Sequence, residues 1–273
     1  RLAHIYEYIY TKYPYYLINN AKNADNMTEK QRKADKYMNM PVKNQNENGN
    51  QNQNEDFTSS LIKELGLLSL GNEFKSDLQY ISIIGSIEGH NVLPAENKTT
   101  KYEHLIPQLI AVEENAEIKG LLTVLNTVGG DVEAGLALAE LIATISKPTV
   151  SLVLGGGHSI GIPLSAASDY SFISETATMT LHPIRTNGLI ITAEPTFEYL
   201  RKTQDRIVDF IVSHSKAKRE EIVKRMNCTD NMANDVGTVL FGREAVELGI
   251  IDEVGGLKES LTKLKELIKE NNN

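Results

Sequence analysis

Two glycine-rich turns hold the residues of this chain best suited to chemistry. The first is Asn126-Thr127-Val128-Gly129-Gly130-Asp131 and the second Gly155-Gly156-Gly157-His158-Ser159-Ile160-Gly161; each follows an apolar run and precedes a helical one. Glycines at such junctions let backbone N–H groups face a negative charge, and the helix dipole adds to the attraction. Phosphate is a poor fit. Neither turn has the lysine of G-x-x-x-x-G-K-S/T, and neither matches G-x-G-x-x-G with an acidic residue about 20 positions on. An oxyanion fits better, because Gly157-His158-Ser159-Ile160-Gly161 matches G-x-S-x-G, where a sharp strand-to-helix turn exposes the serine hydroxyl. Gly130 lies 29 positions before Ser159, so N–H groups from two turns can converge on one oxygen, as acyl transfer requires. The plainer alternatives are a small residue in a close helix–sheet contact for Ser159 and a tight left-handed turn for Gly129 and Gly130.

A serine hydroxyl is a weak nucleophile until a base takes its proton. Six histidines are available. His4 lies in the N-terminal tail, and His90, His104 and His214 fall near helix or loop segments that suit a solvated or hydrogen-bonded structural histidine. His158 adjoins Ser159, but neighbours at a tight turn point apart, so it is expected to line the pocket rather than act as base. His182, in Thr178-Met179-Thr180-Leu181-His182-Pro183, follows a strand-like run and precedes a proline that keeps its backbone extended. It is the candidate base. An orienting acid should come from another loop, and Asp230, Asp235 and Asp252 all lie downstream with spacing that does not choose among them.

Such turns need rigid elements to carry them. Apolar runs predict strands over residues 78–84, 120–126, 149–154 and 170–173, and helical spacing predicts helices over 102–115, 131–146 and 159–168 between them. This alternation implies an α/β fold with a largely parallel sheet and right-handed crossovers, and such sheets gather their sites at the carboxyl ends of the strands. Beyond residue 181 the chain reads as mostly helical, over 195–213, 218–226, 243–248 and 257–269, with a short closing strand after Gly249.

The 273 residues divide unevenly. Seven of the 11 tyrosines lie in the first 37 residues, and residues 44–56 are almost entirely Asn, Gln, Glu and Gly. Residues 1–60 are therefore expected to be a Tyr-rich tail and a disordered linker, and 61–273 the folded domain. Residues 1–43 carry a net charge of +4 and the remainder −12. So acidic a body is a poor match to a phosphate backbone, and nucleic acid is not an expected partner. The single Cys228 leaves no intramolecular disulfide and no multi-cysteine metal site. No stretch reaches the roughly 18 apolar residues of a membrane span. The expectation is a cytoplasmic protein with neither cofactor nor metal.

Together, Thr127-Val128-Gly129-Gly130-Asp131, the Gly157–Gly161 pentapeptide, Thr178-Met179-Thr180-Leu181-His182-Pro183 and the distal Arg243-Glu244-Ala245-Val246-Glu247-Leu248-Gly249-Ile250-Ile251-Asp252 resemble the Clp protease proteolytic subunit. They are more closely similar to the translocation-enhancing, TepA-type branch of Clp-like serine peptidases in spore-forming bacteria. The resemblance covers about residues 78–256. It implies a ClpP/crotonase-like spiral of ββα units with a projecting helical handle over 195–226, and a serine endopeptidase acting through an acyl-enzyme. It puts the nucleophile on Ser159, the base on His182, and the oxyanion-hole N–H groups on Gly130 and Ile160. Matching the Ala245-Val246-Glu247 helix start puts Gly237 where the family has its aspartate, so Asp235 is chosen with a two-residue insertion and Asp230 is second. The resemblance also implies a homo-oligomeric ring that admits peptides or unfolded proteins. Phe197, Leu200, Ile207, Val208, Phe210 and Ile211 give the handle an apolar face for such assembly. An extra segment around residues 93–100 departs from the family and argues against docking to a Clp-type ATPase, so the activity is expected to be ATP-independent or loosely ATPase-coupled. Two other classes fit the same scaffold: a non-catalytic assembly or peptide-binding protein, and a crotonase-type CoA enzyme.

Overall fold

Strands whose apolar residues run together require cover on both sheet faces, and the chain supplies it. A computed structural model describes residues 76–186, 192–231 and 235–271. The expected tail and linker over residues 1–60 lie outside the described residues. The elements run β1 (Leu78–Glu88), β2 (Thr99–Lys101), α1 (Tyr102–Glu114), β3 (Gly120–Gly130), α2 (Val132–Ala143), β4 (Thr149–Gly157), α3 (Gly161–Ala166), β5 (Tyr170–Ile173) and β6 (Thr178–Leu181). They continue with α4 (Ala193–Ser213), α5 (Arg219–Met226), β7 (Thr238–Phe241), α6 (Gly242–Glu247), β8 (Glu253–Val254) and α7 (Leu257–Asn271).

The α/β architecture is the expected one, with a main sheet in the order β2-β1-β3-β4-β5-β8 and every neighbouring pair parallel. One face carries α1, α2 and α3 over a core that includes Ile81, Ile83, Leu125, Leu138 and Val153. On the other, Leu264 of α7 packs with Leu122, Val150, Leu152 and Phe172. Gly120 opens β3 where a Cβ would meet Leu264 and Ile268 at 2.9 Å, so α7 lies directly on the strand.

Two strands, β2 and β7, go beyond the sequence reading, while β6 is the strand-like run before His182. β2 is three residues long and extends the sheet beyond β1, held by the Thr100 hydroxyl, which donates to the Ile84 carbonyl and accepts the Ile84 N–H. β6 and β7 form an antiparallel pair that joins the main sheet only where Gly156 of β4 meets Thr178. The helix expected over 159–168 is shorter, so Ser159 and Ile160 sit in the turn before α3 rather than inside it.

The handle also differs. Val208, Phe210 and Ile211 are buried in the chain's own core, at 1%, 6% and 1% exposure. The apolar face expected to meet a partner is therefore largely consumed internally, because α4 is long enough to dock its second half on the body. Only its first turns stand clear, with Phe197 and Tyr199 at 70% and 59% exposure. Arg219 at the start of α5 pairs with Asp205 and Asp209 of α4, fixing the two helices as one unit.

Side-chain alternation in β1 puts Ile83 fully inside and Ile84 at 43% exposure on the opposite face. Ile83→Ala should lower unfolding free energy by about 2–5 kcal/mol. Ile84→Ala should stay within about 1 kcal/mol. Urea midpoints at unchanged slope give both values, and equal losses would contradict the two-faced burial.

Candidate functional site

The site is built from three strand ends joined by Thr127, which is 1% exposed. Its hydroxyl donates to the Gly85 carbonyl at 2.6 Å and accepts the Gly129 N–H at 3.0 Å, while its carbonyl accepts the His158 N–H at 3.1 Å. The ends of β1, β3 and β4 are thereby locked together. Gly129 and Gly130 turn at φ +88° and +154°, and a Cβ on Gly130 would lie 2.2 Å from the Ile87 carbonyl oxygen. Only glycine fits that approach. Asp131 then caps α2 by accepting the Ala134 N–H at 2.8 Å.

Ser159 follows β4 with φ at 56°, the only left-handed backbone outside glycine among the described residues. A bulky residue in that conformation would be strained, and the neighbouring bonds hold it in place. Ser159 N–H donates to the Thr180 carbonyl at 3.0 Å, Gly161 N–H to the His158 carbonyl at 2.9 Å, and Ile162 N–H to the Ser159 carbonyl at 3.0 Å. The Ile160 side chain is buried against Gly135 of α2, where an added Cβ would meet it at 2.4 Å. Among the described residues the Ile160 N–H carries no hydrogen bond, so it is available to an oxygen entering the site.

Ser159, Gly130, Ile160 and His182 line one pocket of about 130 Å³ together with Val132, Ile162, Ile184, Arg185, Ile207, Ile211 and others. Four of the five candidate residues thus share one cavity. Its wall is mainly aliphatic, and Ile207 and Ile211 come from α4. His182 Nδ1 donates to the Pro183 carbonyl at 2.7 Å, which leaves the lone pair of the neutral ring on Nε2. No hydrogen bond joins Ser159 Oγ to His182 among the described residues.

The three candidate acids are now distinguishable. Asp252 accepts from Ser171 N–H and Oγ and from Lys216, binding β5 to the turn before β8; it is a structural group. Asp230 is contacted by the neighbouring Thr229 hydroxyl. Asp235 pairs at 2.8 Å with Arg185, a residue of the pocket wall, and also accepts the Val236 N–H. It touches the site through Arg185 and makes no bond to His182.

His158, expected in the pocket wall, is not one of the side chains lining it. Its Nδ1 lies 2.9 Å from Thr180 Oγ1, and its Nε2 occupies the space a Cβ on Gly156 would need, 2.5 Å away. Burial, with a contribution from nearby His182, pushes the His158 imidazole below its ordinary pKa. Thr127, Thr180 and Arg185 went unassigned in the sequence reading. Only their places in the first turn, in the strand before His182 and in the loop just after it could have flagged them.

If Ser159 is strained for a purpose, removing its Cβ should relax the backbone. Ser159→Gly is expected to raise unfolding free energy by about 1 kcal/mol relative to Ser159→Ala. Chemical denaturation of the two variants checks this; equal stability would mean that the turn imposes no strain.

Residues 76–258 match the Clp protease family model. The chain is 55% identical over 208 residues to the translocation-enhancing protein TepA of Halalkalibacterium halodurans, covering 76% of this chain and 81% of that protein. It is 29% identical over 155 residues to the ATP-dependent Clp protease proteolytic subunit 1 of Chlamydia muridarum, covering 55% and 77% respectively. With its parallel sheet, its glycine turns and Ser159 and His182 in one pocket, the chain belongs to the Clp protease family.

Proposed function

We propose that the chain is a serine endopeptidase that hydrolyses peptide bonds through an acyl-enzyme on Ser159. The observation that carries this reading is a serine held at φ 56° between β4 and α3, in one pocket with His182 and the Gly130 turn. His182 Nε2 takes the Ser159 proton as Oγ attacks the substrate carbonyl carbon. The N–H groups of Gly130 and Ile160 hold the oxyanion. Collapse of the tetrahedral intermediate breaks the C–N bond, and the amine leaves with the proton from His182. Water then adds to the acyl-enzyme with His182 again as base, releasing the acid and restoring Ser159.

Asp235 is the proposed orienting acid. Taking that role requires it to exchange Arg185 for the Nδ1–H of His182, which in turn must leave the Pro183 carbonyl. The triad would therefore close on a further event, and ring assembly through the exposed start of α4 is the proposed one. The substrates are peptides or unfolded proteins and the setting is cytoplasmic. The activity is ATP-independent or loosely ATPase-coupled.

A fluorophosphonate probe should label the wild-type protein at Ser159 and leave Ser159→Ala unlabelled. Labelling of both, or of neither, would sink the proposal. Asp235→Asn should slow labelling about a hundredfold or more, and Asp230→Asn hardly at all. The reverse order would move the acid to Asp230. An unaffected Asp235→Asn would leave the Pro183 carbonyl as the group that orients His182.

A second reading, a non-catalytic assembly or peptide-binding protein, is favoured by one observation: Asp235 is committed to Arg185 rather than to His182. It predicts that Ser159→Ala retains the biological effect while truncation of Phe197 and Tyr199 abolishes it.

A further inference from the structure

The chemistry proposed above needs Ser159 and His182 in fixed register, yet they stand on separate pieces of chain. Ser159 follows β4; His182 follows β6. Between these two strands the backbone ladder is a single pair, Gly156 with Thr178. The other partner of β6 is β7, which runs antiparallel to it and pairs with no other strand among the described residues. One residue pair is too little to fix the position of a side chain four residues further on.

We infer that His158 and Thr180 are positioning residues that staple the strand carrying His182 to the turn carrying Ser159, a role that rests on the serine peptidase reading of the site. Two bonds reach Thr180 from adjacent residues of the turn. The Ser159 N–H donates to its carbonyl at 3.0 Å, and His158 Nδ1 lies 2.9 Å from its hydroxyl. The imidazole is itself fixed on the far side, because its Nε2 fills the space left by the missing side chain of Gly156. Thr180 is two residues before His182, so where the extended backbone of β6 continues towards Pro183 the period of two puts both side chains on the same side. A slip of one residue at Thr180 would turn His182 to the opposite face. The hydrogen-bonding δ atom of residue 158 thus sets where His182 Nε2 stands relative to Ser159 Oγ. Burial, with a contribution from His182, also pushes the His158 imidazole below its ordinary pKa, which disfavours a second positive charge beside the imidazolium that forms on His182.

The test uses the full chain and two readouts. Thr180→Val removes the hydroxyl at constant shape, and His158→Phe removes the ring nitrogens while filling the space. Thr180→Ser and His158→Asn restore a hydroxyl and a δ-position hydrogen-bonding group. In hydrogen exchange, amides of residues 178–182 should lose protection in the first pair and regain it in the second. The rest of the sheet should stay protected throughout. Fluorophosphonate labelling of Ser159 should slow about tenfold to a hundredfold in Thr180→Val and His158→Phe. The double variant should be no slower than the worse single one, and the conservative variants should label near the wild-type rate. With a peptide substrate the loss should fall on kcat with KM little changed.

Unchanged exchange in both disruptive variants overturns the staple. Faster exchange with wild-type labelling overturns its role in positioning His182. Labelling as slow in His158→Asn as in His158→Phe overturns the assignment to the hydrogen bond. A wild-type protein that does not label at all defeats the peptidase reading instead, and the exchange pattern still decides whether the staple exists.

Discussion

A strand that ends inside a protein leaves backbone groups that water cannot reach, and each must find a partner or cost about 1–3 kcal/mol. At the carboxyl edge of this sheet Thr127 meets that demand for three strands at once. Its hydroxyl serves β1 and β3, and its carbonyl serves the turn after β4. Because Gly129-Gly130 and His158-Ser159 are both anchored to this residue, the two turns cannot drift apart independently. That both turns line one cavity is therefore a consequence of satisfying buried backbone. Gly161 completes the joint, since a Cβ there would lie 2.7 Å from the Thr127 methyl group.

Legibility followed local physics. Strands β1, β3, β4 and β5 could be read because each buries a run of apolar residues between two helical layers. The helices between them could be read from their 3.6-residue stripes. Strand β7, four residues lying among helices, gives too few repeats to define a period, while the equally short β5 and β6 stood out by their places after a helix and before the His182-Pro183 bend. The handle was misjudged for a related reason. Periodicity marks Val208, Phe210 and Ile211 as one apolar face but does not say whether a partner or the chain's own body covers it; the body does.

The same division runs through the site. Ser159, His182 and the Gly129-Gly130 turn could be singled out as candidates because turn chemistry is local: glycine before a helix, serine at a sharp bend, histidine before proline; Ile160 came from the family resemblance, and the structure places all of them around one cavity. The acid could not be singled out in this way. Asp235 and Arg185 are 50 positions apart in sequence, and their pairing depends on how two loops meet. Asp252, equally plausible by spacing, is spent on closing β5 against the turn before β8, a demand visible only once those strands are adjacent.

The strained serine and the crowded glycines are two sides of one arrangement. Holding Ser159 at φ 56° brings its Cβ towards the first turn, where an added Cβ on Gly129 would lie only 2.7 Å from it. Any side chain at position 129 would push the serine out, and any relaxation of the serine would open the gap between the turns. The strain, of order 1–2 kcal/mol, is small beside the hydrogen bonds and the Ile160 burial that surround it, so the fold tolerates it. By contrast the Arg185–Asp235 pair is exposed on both sides, at 51% and 42%, and pairs of that kind contribute about 0–1 kcal/mol. Rigid parts of the site are thus set by the core, while the proposed Ser-His-Asp alignment requires two contacts to break, this exposed ion pair and the bond from His182 Nδ1 to the Pro183 carbonyl. On the assembly proposed above, burying a few apolar side chains such as Phe197 and Tyr199 would supply a few kcal/mol, enough to exchange so weak an ion pair.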